Sequence, residues 1–377
     1  MKTYKISDIE NKRVLGRTAP VEKNKPLVLF WAASALEVNV KAKEVHVLLS
    51  SDYNNCEPWV SVYINGAAVS RFMVEKGDAR WVCVARNLNP EKENLITIYK
   101  DTQAMPDDEK HSLFIHEIGL DDEGKFCALK PRKLKLEFVG DSITSGEGLA
   151  GGPEEMEWIP QWFCGSATYA AVTARELNAD FSTVSQCGWG ICWGWDGDRN
   201  AKIPPFYEDI CGVVRGEYQA SLGAHAKWNF DGGSDFVVVN LGTNDNGAFF
   251  QPPWKEKEFG DEYRLNLNAD GSVCVHDSVP IIEGVKSFLK NIRKNNPDAV
   301  IIWCWGMIHL DVIPALIQQG VEEYMSESDD TRVCTLEFDP MDTVEKLTED
   351  KGSRGHPGPK THRFAAMKLI NLIKKLS

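Results

Sequence analysis

Two hydrophobic rhythms divide this chain. From about residue 27 to residue 118, apolar and polar residues alternate, as in Leu36-Glu37-Val38-Asn39-Val40, Val45-His46-Val47-Leu48, Val60-Ser61-Val62-Tyr63-Ile64 and Leu95-Ile96-Thr97-Ile98-Tyr99. A period of two marks half-buried strands. Asn65-Gly66, between two such runs, predicts a tight hairpin because both residues accept positive φ. Short strands at this spacing with no helical stretch between them predict a β-sandwich.

Beyond a segment rich in Asp, Glu, Gly and Lys the pattern changes. Apolar runs at 134–139, 180–184, 235–240, 299–304 and 332–336 predict strands, and periodic segments at 168–177, 280–294, 312–324 and 359–376 predict helices. Strands alternating with helices mean a parallel sheet with helices on both faces. The expected organisation is an all-β sandwich over 1–120, a linker over 121–132 and an α/β domain over 133–377. The stretch from Asn246 to Asp277 exceeds a minimal connection, holds Phe249, Phe250 and Trp254, and predicts a hairpin at Asp270-Gly271. It leaves the end of the third parallel strand, so it is expected over the same sheet edge as that strand's tip.

Composition narrows the partners. Among 377 residues the net charge is −13, which argues against nucleic acid or an anionic membrane surface and fits a neutral substrate. No apolar h-region follows the first lysines, and no apolar run is long enough to span a bilayer. Ten cysteines are scattered without a framework, which predicts reduced thiols in a cytoplasmic protein beginning at Met1. Exposed sandwich edges make self-association an expectation.

Four segments fall in loops on one side of the predicted parallel sheet, where open α/β sheets do their chemistry. Gly140-Asp141-Ser142 follows the first strand and offers a hydroxyl nucleophile. Gly188, in Ser185-Gln186-Cys187-Gly188-Trp189-Gly190, lets a backbone N–H approach a ligand. Asn244, in Gly242-Thr243-Asn244-Asp245, supplies a side-chain amide, and His356, in Gly355-His356-Pro357, supplies an imidazole as the natural base. A serine, oxyanion donors and one histidine are the parts that acyl transfer needs. Cys187, Cys192 and scattered histidines give no convincing metal spacing, so neither metal nor cofactor is expected.

These blocks, in this order, resemble the SGNH (GDSL) hydrolase superfamily, with Ser142, Gly188, Asn244 and His356 at the naming positions. Gly16-Arg17, the segment Leu29-Phe30-Trp31-Ala32-Ala33-Ser34-Ala35-Leu36-Glu37 and the spacing to Gly140-Asp141-Ser142 are further similar to carbohydrate esterase family 2. The resemblance implies a flavodoxin-like SGNH domain behind a jelly-roll-like domain. It also implies a metal-free Ser-His esterase removing O-acetyl groups from xylan-derived or related oligosaccharides. The superfamily often carries Asp three residues before the histidine; here that position is Ser353. A backbone carbonyl near Ser353 is then expected to hold the imidazole, with Asp339, Asp342 and Asp350 as substitutes. Asp141, Asp245, Trp189, Trp305 and His362 are candidate substrate contacts, Trp305 as a wall of the acyl pocket. Alternatives are an SGNH esterase of other acyl or lipid specificity and a non-catalytic carbohydrate-binding protein.

Overall fold

A computed structural model describes residues 1–256, 260, 262–343 and 350–377. The alternating segments form two antiparallel sheets. One contains the strands Lys2–Lys5, Leu27–Leu29, Glu44–Asp52, Gly77–Arg86 and Ser112–Leu120; the other contains Lys12–Leu15, Ala35–Lys41, Trp59–Ile64, Ala67–Met73, Asn94–Lys100 and Lys125–Cys127. Leu36, Val38, Val60 and Ile96 from one sheet meet Val45, Val47, Leu113 and Ile115 from the other in a single apolar core. The segment expected to be linker thus contributes a strand, Lys125–Cys127, paired with Ala35–Lys41.

The second half is a five-stranded parallel sheet in the order Asp180–Ser185, Lys135–Gly140, Phe236–Asn240, Val300–Gly306, Val333–Phe338. With strands numbered along the chain this is the 2-1-3-4-5 order of flavodoxin-like folds, whose crevice opens where the first strand lies between the second and third. Helices Val275–Asn295 and Ile313–Ser328 cover one face, and Tyr169–Glu176 with Pro359–Leu376 cover the other.

Sandwich and sheet share their cores. Trp31 packs with Val139 and Val184, and Tyr99 packs with Phe138 and Tyr169. The polar centre of the contact is Arg17, fully buried, whose Nη2 lies 2.7 Å from Glu137 Oε1 on the first parallel strand. Arg17 also donates to the carbonyls of Tyr207 and Asp209 and faces the Phe230 ring at 5.0 Å. Removing one partner of a buried pair strands the other charge. Arg17→Met is therefore expected to cost about 3–5 kcal/mol in denaturant unfolding, with Arg17→Met/Glu137→Leu recovering part of the loss. An unchanged midpoint for Arg17→Met alone would show that the interface does not depend on the pair.

Candidate active site

The strand Lys135–Gly140 ends where a Cβ on Gly140 would collide with Thr144 Oγ1, so glycine permits an immediate turn. Asp141 caps the short helix Ser142–Ser145 by accepting the Ile143 N–H at 3.0 Å, and Gly146, at φ 82, ends it. Ser142 is thereby held at the helix start, almost buried at 7% exposure, with its Oγ 2.9 Å from His356 Nε2. The histidine reaches it because the two loops are tied. Ser353 N–H donates to the Gly148 carbonyl at 2.9 Å, and a Cβ on Gly148 (φ 77) would strike the Ser353 carbonyl and His356 Cβ.

The other side of the site is built from the loop after Asp180–Ser185 and the turn after Phe236–Asn240. Gly188 has φ 75, a conformation that favours glycine. Neither its N–H nor that of Ser142, the first residue of its helix, is taken by another group among the described residues. Asn244 Nδ2 donates to the Trp189 carbonyl at 2.9 Å. That bond orients the amide and leaves its second hydrogen for a ligand. These residues line a cleft of ≈ 790 Å³ with Trp158, Trp189, Trp195, Glu147 and Arg354. The sandwich closes its other side with Asn55, Gln103, Met105 and Asp107. No residue after Asn246 in the long 246–277 stretch lines the cleft among those described; residues 257–259 and 261 lie outside them. That stretch instead packs on the outer side of the glycine loop, Tyr263 stacking on Trp193 at 6.1 Å. The hairpin expected at Asp270-Gly271 is present, with Leu267 opposite Val273.

The expected orienting carbonyl is not used by the ring. The Ser353 carbonyl accepts the backbone N–H of His356 at 3.1 Å, and His356 Nδ1 is buried without a partner among the described residues. The three aspartates are engaged elsewhere: Asp339 with Lys368, Asp342 with His309, and Asp350 with the Thr361 N–H. The acid that approaches the histidine is Glu147, its Oε2 3.6 Å from Nε2 and its Oε1 held by Arg354 Nε at 3.0 Å.

Of the expected substrate contacts, Trp189 lines the cleft and four residues do not. Asp141 is fully buried beneath the helix it caps, and burial pushes its carboxyl up to about 7. Asp245, equally buried, accepts the N–H groups of Ile191, Cys192 and Trp193 at 2.8, 2.8 and 3.1 Å, so it shapes the glycine loop from behind. Trp305 lies two residues from fully buried Trp303 on one strand, hence on the same face, and packs into the helix-covered core. His362 is fully buried, and its Nδ1 accepts the Tyr169 N–H at 3.0 Å. Helical spacing puts His362 on the face of Ala365, Ala366 and Leu369, a signal present in the sequence.

Two buried histidines make the fold acid-sensitive. Burial, reinforced by His356, pulls His362 down to about 3, and burial with the nearby Lys100 charge does the same to His111. In the unfolded chain both titrate near 6.5. Between these values the unfolded chain binds protons that the folded chain refuses, so stability falls as pH falls. Asp141 works the other way between about 7 and the usual carboxylate value, offsetting one of the two protons. Stability is therefore expected to fall as the pH drops from roughly 6 to 4, by at most about 1.4 kcal/mol per pH unit, because burial also raises Asp245 and offsets part of the histidine effect. Urea unfolding across that range checks it, and a His362→Gln variant should flatten the slope.

The GDSL-like Lipase/Acylhydrolase family matches residues 138–364. The acetyl xylan esterase Est2A of the rumen bacterium Butyrivibrio proteoclasticus is 36% identical and superposes with a TM-score of 0.93 over 100% of this chain and 99% of that one. A family two carbohydrate esterase from Clostridium thermocellum, solved with cellohexaose, shares the fold at 24% identity and a TM-score of 0.75, covering 97% and 98% of the two chains. The cellulase/esterase CelE of Acetivibrio thermocellus is 26% identical over 91% of this chain but only 37% of its own length. The chain spans less than half the length of each of the three curated relatives it matches. With the family match spanning the parallel sheet and all four loops that converge on Ser142, this chain belongs to the GDSL-like lipase/acylhydrolase family.

Proposed function

We propose that this protein is a serine esterase removing O-acetyl groups from xylan-derived or related oligosaccharides, with residues 133–377 as its catalytic domain. The observation that carries the reading is Ser142 Oγ at 2.9 Å from His356 Nε2, in one cleft with Asn244 and with the Ser142 and Gly188 N–H groups that are unpaired among the described residues. Nε2 takes the serine proton as Oγ attacks the acetyl carbonyl. The N–H groups of Ser142 and Gly188 and Nδ2 of Asn244 receive the oxyanion. The imidazolium faces the Glu147 carboxylate, and its proton leaves with the sugar hydroxyl. Water, deprotonated by the same nitrogen, then releases acetate and frees Ser142.

The lining favours a sugar over a long acyl chain. It combines indoles (Trp195 is 54% exposed and Trp158 38%) with carboxamides, carboxylates and guanidinium groups. Exposed indole faces beside hydrogen-bonding groups suit sugar rings. The likeness to Est2A, named an acetyl xylan esterase, supports the same substrate class. All ten cysteines are free thiols, which supports a reducing, cytoplasmic compartment. The described helices include none long and apolar enough to cross a membrane.

The test is acetate release from acetylated xylo-oligosaccharides, with and without a chelator, beside hydrolysis of aryl acetate and aryl octanoate. Acetate release that survives the chelator, with the aryl acetate preferred, is expected. Preference for the octanoate would move the substrate to lipids, and no hydrolysis of any ester would reject the reading.

A further inference from the structure

Among the sandwich segments that reach the cleft is the buried stretch 101–106, which follows the strand Asn94–Lys100. Gln103 in that segment is 1% exposed, and its Oε1 accepts the backbone N–H of Cys187 at 2.8 Å. Cys187 directly precedes Gly188. We propose that Gln103 is a positioning residue for the oxyanion site: by holding the Cys187 N–H it fixes the Gln186–Cys187 peptide, the unit directly before the one that carries the Gly188 N–H. This rests on the esterase reading above.

The anchor behind Gln103 is rigid. Lys100 is fully buried, and its Nζ donates to the carbonyls of Thr102 and Gln103 at 2.7 Å each. The next residue, Asp101, is also fully buried and receives Arg71 Nε and the Ser166 N–H, both at 3.0 Å. The main chain at Gln103 is therefore held independently of the glycine loop. The loop is held from its far side by the three Asp245 bonds to residues 191–193. Between those bonds and Gln103, the Gly188 peptide is clamped at both ends, one clamp from each half of the molecule. An acceptor missing at residue 103 would leave a buried N–H unpaired, and the loop would turn to satisfy it. A misplacement near 1 Å in a catalytic group can cost on the order of a hundredfold.

The test compares Gln103→Leu, which keeps the volume and removes the acceptor, with Gln103→Glu, which keeps an acceptor oxygen. On an aryl acetate, Gln103→Leu is expected to lower kcat on the order of ten- to a hundredfold with KM changed little, and Gln103→Glu is expected to restore most of kcat. In parallel, amide hydrogen exchange over 186–190 is expected to speed up in Gln103→Leu, while exchange in the sandwich strands stays as in the wild type. Equal kcat in the two variants, or unchanged exchange over 186–190, would overturn the positioning role. The exchange arm needs no turnover. If wild type fails on every ester, or Ser142→Ala keeps wild-type activity, the esterase reading falls, and exchange alone decides whether Gln103 holds the loop.

Discussion

Ser142→Ala is expected to lower kcat on acetyl esters by roughly 10⁴- to 10⁶-fold while leaving the protein folded. The hydroxyl lines the cleft with its Oγ 2.9 Å from His356 Nε2, the pairing on which the proposed acyl-enzyme depends. Its loss opens no core cavity, because Ser142 sits at the cleft floor, so the melting temperature should move little. His356→Ala should fall to the same floor, and the double variant no further, because the two groups act as one unit. A His356→Ala variant retaining more than about a tenth of wild-type kcat would show that some other base serves Ser142.

Asn244→Ala is the second large loss, expected at about a hundred- to a thousandfold in kcat with a smaller change in KM. The amide does two things at once. One Nδ2 hydrogen is tied to the Trp189 carbonyl, and the other is left for the oxyanion that the proposed mechanism develops in the cleft. A donor fixed in this way needs no reorganisation when the tetrahedral intermediate forms, and this is why it acts on kcat. Asn244→Asp separates the two roles. It keeps the shape but replaces the donor with an acceptor set against the Trp189 carbonyl, so it should be at least as damaging as alanine. Near-wild-type turnover in either variant would leave the oxyanion to the backbone N–H groups of Ser142 and Gly188.

The two predictions share one architectural cause. The sheet order places the first strand between the second and third, so the loops after residues 140, 185 and 240 open into one crevice. The cleft is completed from outside the sheet by the sandwich, which shares two apolar cores with the parallel sheet and lines the cleft with Gln103 and Met105. The sandwich, which shows no catalytic constellation of its own in sequence, therefore belongs to the site through its contacts.

Much of this was legible in the amino-acid sequence, for local reasons. Period-two alternation, the Asn65-Gly66 turn and the strand–helix alternation after residue 132 depend on neighbours a few positions apart. Ser142, Gly188, Asn244 and His356 could be found because each sits in a loop on the side of the sheet where its strands end. Trp305 and His362 were misplaced although their own periodicity, two along a strand and three to four along a helix, assigns both to buried faces. What only the tertiary structure decided is which group satisfies which. Asp245 turned inward to three N–H groups of residues 191–193, Glu147 came to His356 instead of an aspartate from its own loop, and Gln103 took the N–H of Cys187, 84 positions away. Such partnerships follow from burial: a polar group removed from water must bond to whatever the fold brings within about 3 Å, and a pattern of neighbours along the chain holds no record of that choice.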